Sequence, residues 1–95
     1  MELNDCRQEL DRIDGEILAL FVERMELVAG IAAWKRKHGM PVLDRERERE
    51  KLEALNAQSP EALREYTAAL FSAIMELSRS CQNRFLDPDS PEKDV

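Results

Sequence analysis

Arg24 stands where an apolar residue would be expected. Apolar side chains recur at Leu3, Cys6, Leu10, Ile13, Ile17, Leu20, Leu27, Ile31 and Trp34. They alternate spacings of three and four, as the seam of a coiled coil does. Arg24 fills the seam position between Leu20 and Leu27. A guanidinium there is costly unless an anion meets it. The alternatives are a buried ion pair with a glutamate, or a side chain that snorkels to water. Lys35 lies eleven residues on, close in azimuth and about 16 Å along a helix axis. Two long cations at that spacing can converge on one small anion. Arg7 sits on the flank of the seam, in the row of Phe21, Val28 and Lys35, but roughly 42 Å from Lys35 along a straight helix. One small ligand cannot touch both on the same chain. Arg7 is therefore either a solvated surface cation or a residue that serves a site on a second, antiparallel chain.

Further polar candidates follow. Asp44, Glu48, Leu52 and Leu55 share a helical face, so Glu48 points to the core side with Arg47 beside it. The run RERERE around them could equally be a solvated face laced by i,i+4 pairs. Ser78 and Gln82 are one turn apart on the stripe between Ile74 and Phe85. They are either a satisfied core hydrogen bond or contacts for a ligand. Cys6 and Cys81 suit small core positions, because no histidine stands at a spacing that would activate a thiol. His38, the single histidine, suits the C-terminal end of a helix dipole. The two cysteines and one histidine make no metal motif, so no metal is expected.

These residues need long helices to position them. The chain has 95 residues, 43% hydrophobic and 36% charged, with three glycines and four prolines. That composition suits amphipathic helices and one domain. The first helix is expected over Asn4–His38, with Asn4 as N-cap, Gly39 at C′ and Pro41 beyond. Gly15 and Gly30 lack turn chemistry around them and leave it continuous. The loop GMPVL leads to Asp44 as N-cap of a second helix, Arg45–Ala57. Ser59 as N-cap and Pro60 at N1 are expected to open a third helix, running to about Phe85. Residues 87–95, DPDSPEKDV, are expected to be a disordered acidic tail. The fold class expected is all-α, with one long, one short and one medium helix. The long helix would span about 52 Å, whereas a compact chain of this length is only about 32 Å across. A second copy alongside is the economical way to bury its seam.

A net charge of −6 argues against a nucleic-acid partner held on a broad basic face. It also means that an anionic ligand must be held by local cations. No stretch has the length and apolarity of a membrane span, so no membrane partner is expected. The start, MELNDCRQEL, lacks the pattern of a secretory signal. A cytoplasmic location with reduced thiols is expected.

Taken together, these segments are familiar. Across Cys6 to about Phe85 the chain resembles the all-helical chorismate mutase family, in CRQELDRIDGEILALFVERMELVAGIAAWK, then PVLDRERE, then FSAIMELSRSCQ. Arg7, Arg24 and Lys35 fall where that family places its ligand-binding cations. Asp44, Arg47 and Glu48 fall on its loop and second-helix positions, and Ser78 and Gln82 on its last-helix positions. The turn AQSPEA looks short for the family. The resemblance implies a chorismate mutase-like domain over 1–86, forming an intertwined homodimer with two sites, each taking Arg7 from the other chain. It implies the conversion of chorismate to prephenate, on the route to phenylalanine and tyrosine, without a cofactor. Lys35, Gln82, Arg24 and Glu48 would be catalytic, and Arg7, Arg47, Asp44 and Ser78 would bind substrate. Two other functions suit the same scaffold: an isochorismate-pyruvate lyase, or a non-catalytic dimerisation or regulatory module.

Overall fold

The computed structural model describes residues 2–86, and the expected tail at 87–95 lies outside the described residues. Three α-helices, α1 (Leu3–Lys37), α2 (Arg45–Gln58) and α3 (Arg64–Leu86), account for nearly all of the described chain. A 3-10 turn, Glu61–Leu63, precedes α3. No strand occurs among the described residues, which agrees with the all-α class read from composition and periodicity.

The helix ends follow local chemistry, with two corrections to the sequence reading. α1 begins one residue early. Its N-cap is Glu2, which makes no side-chain capping bond, and Asn4 is already helical. Its C-terminal end is closed as expected by Gly39, whose φ is +64°. Met40 N donates to Lys35 O at 2.9 Å and Gly39 N to Arg36 O at 3.4 Å, the paired closure of a Schellman motif. α2 is capped by Asp44, whose carboxylate accepts from Arg47 N at 3.0 Å. The second correction concerns the next junction. Ser59 is the C-cap of α2 rather than an N-cap. Pro60 has ψ 140°, extended rather than helical. The Ser59 hydroxyl bonds Thr67 Oγ1 at 2.7 Å instead of capping. The 3-10 turn then carries the chain into α3, with Leu63 N donating to Pro60 O at 2.9 Å.

α1 and α2 both pack on α3 and not on each other. The core within one chain is small. Among the described residues Val28, Ala32 and Met75 are its buried apolar residues, and no large side chain is fully buried. Phe21, Met25, Phe71, Ile74, Leu52 and Leu55 are half-buried around them. Eight seam residues of α1 are exposed in the single chain. Leu3, Leu10, Ile17, Leu20, Leu27 and Trp34 are each 54% exposed or more, and Ile13 and Ile31 are 39% and 48% exposed. Leu63 of the 3-10 turn and Leu70 and Leu77 of α3 are exposed. Ser78 and Gln82, on the stripe between Ile74 and Phe85, are buried, and so is Met75. The molecule measures 53 × 30 × 20 Å, its long dimension that of α1.

Two glycines give opposite expectations. A Cβ at Gly15 or at Gly39 would meet nothing within 4 Å, so only the backbone decides. Gly15→Ala removes a helix-interior glycine and should raise the unfolding free energy by about 1 kcal/mol. Gly39→Ala must hold an L-residue at positive φ and should lower it by roughly 1–2 kcal/mol. Urea unfolding followed by circular dichroism measures both, and equal shifts in the same direction would contradict the helix ends described.

Candidate active site

The C-terminal half of α1, the connector, the first turns of α2 and the last turns of α3 enclose one cleft. Its volume is about 360 Å³, within the range of small-molecule sites. Seven of the eight candidate residues line it: Arg24, Lys35, Asp44, Arg47, Glu48, Ser78 and Gln82. Arg7 does not. It lies exposed in the first turns of α1, roughly 42 Å along the helix from Lys35.

Each element delivers its side chains for a local reason. Arg24, Val28, Ile31 and Lys35 reach the cleft from one flank of α1, as i, i+4, i+7 and i+11 positions must. Arg24 Nη1 donates to the Ser78 hydroxyl, and Ser78 Oγ in turn donates to Ile74 O at 2.8 Å. Among the described residues Arg24 has no carboxylate partner. Neither the buried pair with a glutamate nor full escape to water describes it, since it is half-buried. Lys35 Nζ donates to Val42 O at 2.9 Å, tying the end of α1 to the connector. Asp44 is fixed by its capping role, which also places Arg47 and Glu48 in the first turn of α2.

The RERERE run divides between its two readings. Arg49 pairs with Glu46 and, at 2.7 Å, with Glu53 on the exposed side. Glu46 first, then Glu53, hold the Arg49 guanidinium above its ordinary value. Glu48 turns the other way and pairs with Arg79 of α3. Arg79 lines the cleft together with Lys51 and Met75, and the sequence reading singled out none of these three. A signal for Arg79 was present. Met75, Arg79 and Gln82 stand at i, i+4 and i+7, but Met75 was not assigned to the buried stripe.

The electrostatics of the cleft oppose those of the chain. Five cations, Arg24, Lys35, Arg47, Lys51 and Arg79, face two carboxylates, Asp44 and Glu48, although the whole sequence carries −6. Arg24, Lys35, Arg47 and Lys51 make no ion pair among the described residues. Such a site suits an anion with more than one carboxylate. Gln82 is buried, and its amide oxygen lacks a hydrogen-bond partner among the described residues. A buried amide with unmet capacity costs the fold free energy, and here it borders the cleft. Among the described residues, no group of three His, Cys, Asp or Glu side chains could hold a metal ion. No described helix is long and apolar enough to cross a membrane.

Comparison with known proteins gives a consistent result. Residues 6–83 match the family Chorismate mutase type II. The chain is 38% identical over 60 residues to the T-protein of Haemophilus influenzae, covering 63% of this chain and 16% of that protein. It is 36% identical over 96 residues to a bifunctional chorismate mutase/prephenate dehydratase of Aquifex aeolicus, covering 92% of this chain and 26% of that protein. A protein of the same description from Buchnera aphidicola is 34% identical over 88 residues, covering 90% of this chain and 23% of that protein. The chain thus spans about a quarter or less of these curated relatives. No solved structure matches it significantly.

The unmet amide makes a prediction about stability. Gln82→Met keeps the volume and removes the buried polar group, so the unfolding free energy should equal or exceed that of the wild type. Chemical denaturation tests this. A loss above about 2 kcal/mol would mean that Gln82 is a structural hydrogen-bonding residue rather than one held ready for a ligand.

Proposed function

The chain belongs to the chorismate mutase type II family, and from that premise we propose that it rearranges chorismate to prephenate in the cleft described above. The observation that carries the proposal is the set of cations Arg24, Lys35 and Arg47 facing one cleft with no carboxylate partner among the described residues. Prephenate is also named in the second activity of two of the relatives. Their names place the two activities on one polypeptide.

The reaction is intramolecular. An ether C–O bond breaks as a C–C bond forms, so the protein has to position and to stabilise charge. Arg24, assisted by Arg47 and Ser78, binds carboxylate and holds the flexible side chain over the ring. The hydrogen bond from Arg24 to Ser78 preorganises that guanidinium. Glu48, with the backbone near Asp44, accepts the ring hydroxyl. Lys35 and Gln82 donate to the ether oxygen, which gains negative charge as its bond to carbon breaks. Lys35 has three donors and uses one on Val42 O, which aims the ammonium and leaves two for substrate. Donors that meet more charge in the transition state than in the ground state raise kcat rather than only lowering KM.

The second carboxylate is the task of Arg7, supplied by the other chain of a homodimer. The exposed seam of α1 supports that assembly. Eight apolar side chains stand on it, each offering roughly 1 kcal/mol on burial of the exposed half. The exposed Leu63 of the 3-10 turn, with Leu70 and Leu77 of α3, adds to the surface available to a partner.

Ultraviolet absorbance of purified protein with chorismate tests the reading. Prephenate is the expected product, whereas no chorismate loss, or salicylate formed from isochorismate, would refute it. Lys35→Ala and Arg24→Ala should each lower kcat/KM well over tenfold with helicity retained, since losing such a donor costs about 3 kcal/mol. Near-normal turnover in either would remove its assigned role. The pH profile examines Gln82. Gln82→Glu donates to the ether oxygen only when protonated, so its activity should rise toward acid, while the wild-type amide donates throughout. Parallel profiles would tell against that contact.

A further inference from the structure

We propose that Arg79 is a positioning residue for Glu48 and thereby sets recognition of the substrate's ring hydroxyl. This rests on the mutase reading, in which Glu48 accepts that hydroxyl. Arg79 Nη1 donates to Glu48 Oε1, joining α2 to α3 across 31 positions of sequence. The pair is no loose surface contact, because the two side chains are only 31% and 26% exposed. Burial of that degree limits solvent screening and makes the geometry of the pair matter.

The position of the pair explains why it is needed. Glu48 and Arg79 line the cleft, and both also line a second groove together with Leu43, Arg45, Arg49 and Leu52. They form the wall between the two. On the groove side, where Arg49 is taken up by Glu46 and Glu53, Arg45 offers competing positive charge to the Glu48 carboxylate. On the cleft side Arg24, Lys35, Arg47 and Lys51 do the same. A glutamate on a flexible stem among these cations has several rotamers of similar merit. Arg79 takes Oε1 and selects one, leaving Oε2 for a hydroxyl donor in the cleft. Holding a ligand-binding group through a partner behind it is how outer residues usually tune a site.

The experiment is a double-mutant cycle on kcat/KM with chorismate, using Arg79→Gln, Glu48→Gln and the double variant, each checked for native helicity. Arg79→Gln alone should lose about tenfold, the scale of one charge-assisted hydrogen bond. In the Glu48→Gln background the same change should lose less than about twofold, because there is no longer a carboxylate to position. Arg79→Lys, which keeps the charge but not the planar fork, should fall between wild type and Arg79→Gln, and it carries the test if Arg79→Gln does not fold. An equal loss in both backgrounds would overturn the proposal, since a structural role is blind to Glu48. Wild-type activity in Arg79→Gln would overturn it too. If the wild type converts no chorismate, the mutase reading fails and takes this proposal with it, a result distinct from the other two.

Discussion

The helix of 35 residues is only partly covered by the rest of the described residues, and the placement of the site follows from this. α3 shields the part of α1 that carries Phe21, Arg24, Val28, Ala32 and Lys35, while every residue from Asp11 to Leu20 is exposed. The cleft forms where the shield is, at the C-terminal half of α1. The other half, with Arg7 and the first part of the apolar seam, is left uncovered by the described residues. A second copy lying antiparallel would bring the uncovered half of one helix to the covered half of the other. The same contact would then complete the core and add a cation to the cleft.

Within the cleft, function and stability pull in opposite directions. A fold optimised for stability alone would pair Arg24 with a carboxylate and fill the Gln82 position with an apolar side chain. The chain instead holds Arg24 with a neutral serine hydroxyl and leaves a buried amide oxygen unpartnered. The first choice leaves positive charge that a dicarboxylate could use, whereas the amide oxygen can only accept and would take a donor such as a ligand hydroxyl. Unpaired polar groups held rigidly before the ligand arrives are the source of electrostatic preorganisation. Their cost is tolerable because the charge is partly solvated and the cleft is open to water. Asp44 and Lys35 each serve the fold and the cleft together. Asp44 caps α2 and thereby aims Arg47 and Glu48, and Lys35 ties down the connector that carries Val42.

What was legible in the sequence was mostly what local chemistry decides. Periodicity gave three helices, and Asp44 and Gly39 marked their ends. The clash between Arg24 and its apolar neighbours pointed to a flank of α1 that lines the cleft. Legibility failed where tertiary packing overrides local preference. Pro60 is as acceptable in a turn as at the start of a helix, and the Ser59–Thr67 bond decides between them only after α3 is in place. Leu63, Leu70 and Leu77 offer one apolar row in the sequence, yet all three are exposed, while Met75, Ser78 and Gln82 are buried. A helix with apolar residues on two sides cannot declare from sequence which side meets its own chain. The spacing of Met75, Arg79 and Gln82 marks the face that Arg79 shares, but its partner Glu48 lies 31 positions away and no local spacing links the two.

The most direct measurement concerns the division of the proposed site between two chains. Arg7→Ala and Lys35→Ala each damage both sites of their own homodimer. In a mixed dimer one site receives the sound Arg7 of one chain and the sound Lys35 of the other, and the second site collects both defects. Refolding equal amounts of the two variants together should make about half of the dimers mixed, each with one intact site. Activity should then recover to roughly a quarter of the wild-type value, well above either variant alone. If mass analysis confirms mixed dimers and the activity is only the average of the two parents, Arg7 does not act across the interface and the account is wrong at its centre.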